Sequence, residues 1–131
     1  MQKTVLGYIT SNSLRDGFIP HQIQNLLIKN FVEAQGHRFF PSWSEYKDSR
    51  HIVFESLMVE SFFTGICFYS IEQYLRLPDP MGALKRLSAR KLWIGFAREN
   101  MSFMANDPDV QFLKLAWLMS EIYEIRDQIH V

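Results

Sequence analysis

Four short segments of the chain carry the groups that could do chemistry. They are Ser11, Asn12 and Ser13; Ser44, Glu45 and Tyr46; Tyr69 and Ser70, with Glu72 and Gln73 just beyond; and Arg98, Glu99 and Asn100. Each follows a run of β-type residues. Two carboxylates, Glu45 and Glu99, suit acid and base roles if a partly apolar site holds their pKa values apart. With Ser11 they are the catalytic candidates. Asn12, Gln24, Asn25, Tyr46, Tyr69, Ser70 and Arg98 are the binding candidates: hydroxyls and amides for a polar ligand, and a guanidinium for an anion. Backbone amides at the start of the first predicted helix offer a second anion contact.

Plainer readings stand beside these. A serine after a strand commonly closes a local turn. Glu45 and Glu99 could be solvated loop carboxylates, with Arg98 as their ion-pair partner. Tyr46 and Tyr69 could be packing rings with wet tips, and Gln24 and Asn25 surface polars. The usual signatures are missing. "GYITSNSLRDG" matches neither a dinucleotide loop nor a P-loop. His21, His37, His51 and His130 are scattered without metal-ligand spacing, so no metal site and no cofactor are expected. A Ser-His-Asp arrangement would require His21 to reach Ser11.

These segments need a scaffold that brings them to one rim. The 131 residues make one ordinary domain, 1–131, and 47% hydrophobic content with 11 Phe, 5 Tyr and 3 Trp supplies a core. Lys plus Arg equals Asp plus Glu at 14 each. Nucleic acid is therefore not the expected partner, because neutralising phosphates takes a basic excess. Cys67, alone and inside "GICFYS", reads as a small buried hydrophobe. No apolar stretch is long enough for a membrane and "MQKTVLGYIT" lacks a signal-peptide pattern, so a soluble, cytoplasmic protein is expected.

"TVLGYIT" reads as a buried strand, and Pro20 opens a helix whose Ile23, Leu26, Leu27 and Phe31 fall at helical spacing. In "HRFFPSWSEY", Pro41 cannot donate to a ladder, which predicts an edge strand or a bulge. Asp48 or Ser49 can cap a helix carrying Ile52, Leu57, Met58 and Phe62. "TGICFYS" is a third strand, Asp79-Pro80 starts a third helix, and "KLWIGFAR" is a fourth strand. Asp107-Pro108 then opens the longest helix, over 108–128, whose middle is apolar almost all round. A second copy of the chain is the preferred cover for its far side, giving a homodimer; a helix set deeply within one monomer is the alternative. The alternation predicts an α/β fold: a three-layer open parallel sheet of about four strands, order 2-1-3-4, as in flavodoxin-like and other Rossmann-like sheets. Ligands bind such sheets beyond the carboxyl ends of the strands.

"GYITS", "PHQIQN", "SEY", "GICFYS" and "FAREN", in this order, resemble the sporadic carbohydrate cluster proteins, a family of small bacterial proteins scattered through surface-polysaccharide biosynthesis clusters. The resemblance runs from Gly7 to the start of the last helix and falls on Gly7, Tyr8, Ser11, Pro20, Gln24, Asn25, Glu45, Tyr46, Tyr69, Ser70 and Glu99. It implies a carbohydrate context, with a sugar or nucleotide-sugar as partner, and no particular reaction. The chain departs from the pattern in "SNSLRDG" and in a longer "YSIEQYLRLP". A more distant likeness is to the serine recombinase catalytic domain, whose nucleophilic serine would fall on Ser11. The arginine expected near Ile9 or Thr10 is absent, and the later arginine-rich run survives only as Arg76. Without that cationic clamp, the phosphoryl chemistry is not expected to be shared.

Three functions follow as expectations: an enzyme acting on a sugar or nucleotide-sugar by acid-base chemistry, a non-catalytic accessory module for another enzyme of the same pathway, or a reduced recombinase-like DNA-binding protein.

Overall fold

The computed structural model describes residues 2–11, 17–45 and 52–107. Its strands are β1 (Thr4–Thr10), β2 (Arg38–Glu45), β3 (Gly65–Phe68), β4 (Trp93–Phe96) and β5 (Met101–Met104). Its helices are α1 (His21–Ala34), α2 (Ile52–Leu57), α3 (Ile71–Leu75) and α4 (Pro80–Ala89). The strands form one sheet in the order β2-β1-β3-β4-β5. The first four are parallel, and β5 is antiparallel to β4. The expected 2-1-3-4 order is therefore present as part of a larger, mixed sheet. The 108–128 helix and its dimer contact lie outside the described residues, as do the Asp48 and Ser49 caps.

The fifth strand corrects the four-strand reading. "MSFM" is too short for its alternation to stand out from a connecting segment. What makes it a strand is the turn before it. Asn100 sits at φ 55° and its N–H bonds to Ala97 O at 3.2 Å, so the chain folds back on β4. Asparagine tolerates this left-handed geometry better than most residues.

Pro41 behaves as its chemistry requires. β2 is an edge strand, and its pairing with β1 slips between Leu6↔Phe40 and Tyr8↔Trp43, so one extra residue bulges out beside the proline. Gly7 faces that bulge, and a Cβ there would overlap Ser42 Oγ.

Two cores flank the sheet. On one face Leu6, Tyr8, Ile66, Phe68, Ile94 and Phe96 meet α2, α3 and α4. Phe68 stands at its centre, with the rings of Tyr8, Phe54, Tyr74 and Phe96 at 5.4–6.5 Å. On the other face Val5, Ile9, Cys67 and Trp93 meet Ile28, Phe31 and Val32 of α1. The inward stripe of α1 is thus Gln24, Ile28, Phe31 and Val32. The expected stripe held only in part: Ile23, Leu26 and Leu27 are 41–53% exposed. α4 starts as expected, with Asp79 accepting from Gly82 N.

At the opposite end of the strands, Lys3 N donates to His37 Nδ1 at 3.1 Å, and the imidazole meets the edge of Trp93 at 4.9 Å. Burial and the Lys3 charge hold the His37 pKa below its ordinary value. A depressed folded pKa contributes stability above the unfolded value of about 6.5 that is lost as pH falls toward the folded one. The urea midpoint is therefore expected to drop between pH 7.5 and 5.5, and to drop less in His37→Phe. An equal drop in both would remove His37 as the cause.

Candidate functional site

The carboxyl ends of the parallel strands share one rim. α1 covers one face and α2–α4 the other, so the strand order reverses between β1 and β3, where such sheets open toward ligands. Gln24 sits at this point, fully buried, in the same helical column as Ile28. Its Oε1 accepts from Thr10 N at 3.3 Å and from Gln73 Nε2 at 2.7 Å. Its Nε2 donates to Thr10 O at 2.9 Å and Ile19 O at 2.7 Å. Both donors and both acceptor sites of the amide are in use. Gln73 Oε1 in turn accepts from Tyr69 N at 2.9 Å, and Gln73 N donates to Ser70 Oγ, which caps α3.

The belt continues to the end of β4. Glu99 Oε1 accepts from Ile71 N at 3.0 Å. The Glu99 carboxyl is half-buried, and burial pushes its pKa above the ordinary carboxylate value. The Ile71 amide, its own backbone amide and Arg98 oppose that shift, and Glu72 adds to it. Arg98 is exposed, and its backbone N–H holds Tyr69 O at 2.8 Å. Thr10, Gln24, Gln73, Tyr69, Ser70, Ile71 and Glu99 are thereby linked from β1 to β4.

Glu45 ends β2 and is buried at 1% exposure. Its Oε2 accepts from Tyr8 Oη at 2.8 Å and Phe54 N at 3.0 Å, and its Oε1 from Val53 N at 3.1 Å. It therefore takes the capping role at α2, where its charge faces the positive end of the helix. Burial and the neighbouring carboxylate push the Tyr8 pKa up, so this hydroxyl stays a donor. β2 and β4 are three strand spacings apart, roughly 14 Å. Glu45 and Glu99 are held by different elements, Glu45 by Tyr8 and the first amides of α2 and Glu99 by the first amide of α3.

Ser11 is half-buried beside β2. Its N–H donates to Glu45 O at 2.9 Å, and its hydroxyl makes a long contact with the same oxygen at 3.4 Å. Asn25 is half-buried on α1. Asn12 and Tyr46 lie outside the described residues. Sequence reasoning named Gln73 just beyond the third strand and Tyr8 within the family resemblance, but gave neither a role in the site. Gln73 left no periodic signal, because α3 is only five residues long. The clue to Gln24 was a polar residue four positions before Ile28.

Cys67 is buried, and burial raises its thiol pKa, which makes it a poor nucleophile. Among the described residues, no group of three or more His, Cys, Asp or Glu is placed to hold a metal ion, and no helix is long and apolar enough to cross a membrane. No family model, curated protein or solved structure matches the chain.

Proposed function

We propose that the chain binds a sugar or nucleotide-sugar at the β1–β3–β4 rim and that Glu99 is its proton donor. The supporting observation is the state of Glu99. It is a half-buried carboxyl with a raised pKa, held by the Ile71 amide and its own at the end of a hydrogen-bonded belt. A carboxyl whose pKa is raised is better suited to general-acid work than an ordinary one. Ser11 and Tyr69 lie on the same rim at the ends of β1 and β3, Ser70 supports it as the buried cap of α3, Asn25 borders it on α1, and Arg98 supplies a cation for a phosphate. Asn12 and Tyr46 belong to the same proposal by sequence position. Glu45 serves as a positioning residue, because its carboxylate is taken up by Tyr8 and α2. The sugar class rests on the resemblance of "GYITS", "SEY" and "FAREN" to the carbohydrate cluster proteins.

A panel of nucleotide-sugars screened by thermal shift and turnover tests this reading. Binding of at least one is expected. Glu99→Gln should then lower its turnover by about 10²–10⁴-fold while leaving thermal stability nearly unchanged. In the parent, the rate should fall as pH rises past the Glu99 pKa, since the acid form is the active one. Unchanged turnover in Glu99→Gln would remove the residue from the mechanism. No shift and no turnover across the panel would remove the substrate class.

The accessory-module reading has one observation in its favour. Phe18, Ile23, Leu26 and Leu27 are exposed apolar side chains at or near α1, a surface that a partner protein could cover. A stable complex with another enzyme, formed without any turnover by this chain, is its expected result.

A further inference from the structure

Glu99 does not meet the start of α3 alone. Its Oε1 takes the amide of Ile71, the first residue of that helix, and the next residue, Glu72, brings a second carboxyl to the same turn. Glu72 is only 4% exposed. A first-turn glutamate on a helix surface gains from the helix dipole and keeps its charge in water. A buried one loses most of its hydration and needs a counter-charge. Arg76, one turn on, supplies one: its guanidinium nitrogen lies 2.9 Å from Glu72 Oε2. A glutamate four residues before a cation is the favourable order for such a pair on a helix. The Arg76 side chain is 45% exposed, so the pair reaches from the interior to the surface.

We propose that Glu72 is a positioning residue for Glu99: its carboxylate, tied down by Arg76, holds a negative charge at the start of α3 and so favours the acid form of the neighbouring Glu99 carboxyl. Its part in catalysis rests on the reading of Glu99 as the proton donor. Two carboxyls in one enclosed spot ionise together less readily than two apart, and the one with a cation at hand keeps the charge. Arg76 gives that part to Glu72. Glu99 is left with backbone amides and with Arg98, an exposed arginine whose charge is screened by solvent. The Glu99 pKa responds in this sense. Burial raises it most and Glu72 raises it further, against the Ile71 amide, the Glu99 amide and Arg98. Among the described residues, Glu72 and Arg98 are the charges that act on it. The carboxyl pair of the rim is thus Glu72 with Glu99, in place of the Glu45 and Glu99 expected from the sequence. Glu72 is too deeply buried to meet a ligand itself and acts through Glu99.

The titration of the Glu99 carboxyl, followed by carboxyl-carbon NMR on the full chain without ligand, tests it. In Glu72→Gln the Glu99 midpoint is expected to move to lower pH. In Arg76→Gln, which leaves the Glu72 charge uncompensated, it should move to higher pH. Made in the Glu72→Gln background, Arg76→Gln should add little, because the arginine acts through Glu72. Arg86→Gln removes a cation of similar exposure, paired with Glu55 on α2, and should leave the midpoint where it is. A glutamate that served only as a structural partner of Arg76 would cost stability when replaced and leave the Glu99 midpoint unmoved, and that result overturns the proposal. If Glu72→Gln does not fold, Arg76→Gln decides alone, and an unmoved midpoint there overturns it. The midpoint is read without substrate, so a panel of nucleotide-sugars without turnover removes the proposed function and leaves this result standing. Where one is turned over, the fall of its rate with rising pH should shift with the midpoint in both variants. A rate profile that stays fixed while the midpoint moves removes Glu99 as the donor, and with it the catalytic part of Glu72.

Discussion

Replacing Glu45 by alanine is expected to destabilise the fold by about 3–5 kcal/mol, read from the urea midpoint at unchanged m-value. Three donors converge on this buried carboxylate: Tyr8 Oη, Val53 N and Phe54 N. Alanine leaves all three without that acceptor in a site that excludes water, and an orphaned buried donor costs more than an average hydrogen bond gains. Such a loss is a large share of the 5–15 kcal/mol that typically holds a domain together. Tyr8→Phe removes one donor and leaves the other two served, so it should cost only about 1 kcal/mol. Glu45→Gln should fall between them, since an amide presents an N–H₂ where one carboxylate oxygen accepted. If Glu45→Ala proves as stable as the parent, the carboxylate is not the anchor of α2.

The second large effect is expected at Gln24. Gln24→Leu keeps the size of the side chain and deletes four hydrogen bonds, to Thr10 N, Thr10 O, Ile19 O and Gln73 Nε2. A loss of about 3–4 kcal/mol is expected. The double variant Gln24→Leu with Gln73→Leu should lose less than the sum of the two single variants, because two apolar side chains can pack where one stranded amide could not. Additive losses would mean that the two amides act separately and that β1 and β3 are not clamped to one another. The same pair of variants bears on the rim, since Tyr69 N and Thr10 are held through these amides.

Much of this architecture could be read from local chemistry. Strand-helix alternation announced the parallel sheet, Pro41 announced the edge with its bulge, and Asp79-Pro80 announced the start of α4. Where the reading failed, a tertiary demand had overridden a local preference. α1 turns Gln24 inward and leaves Leu26 and Leu27 exposed, because the end of β1 needs an amide more than the core needs another leucine. Apolar periodicity cannot register such a trade. Glu45 accepts from the first amides of α2 although it lies well before the helix in sequence, a link that no window of capping residues would find. β5 was hidden because a four-residue strand is set by its turn and its neighbour, and hardly by its own composition. Within the candidate site, position along the strands was legible, but division of labour was not. Glu45 and Glu99 look alike in sequence, and only burial and donors separate an anchor from the proposed proton donor.

The kink at Pro41 also bears on how copies of this molecule can gather. Growth of a fibre needs each sheet to accept a foreign strand on both margins. Along β2 an incoming strand would find an imide nitrogen with no hydrogen to give, then a ladder thrown out of phase by one residue. Strand addition is disfavoured on that side, which works against propagation into filaments.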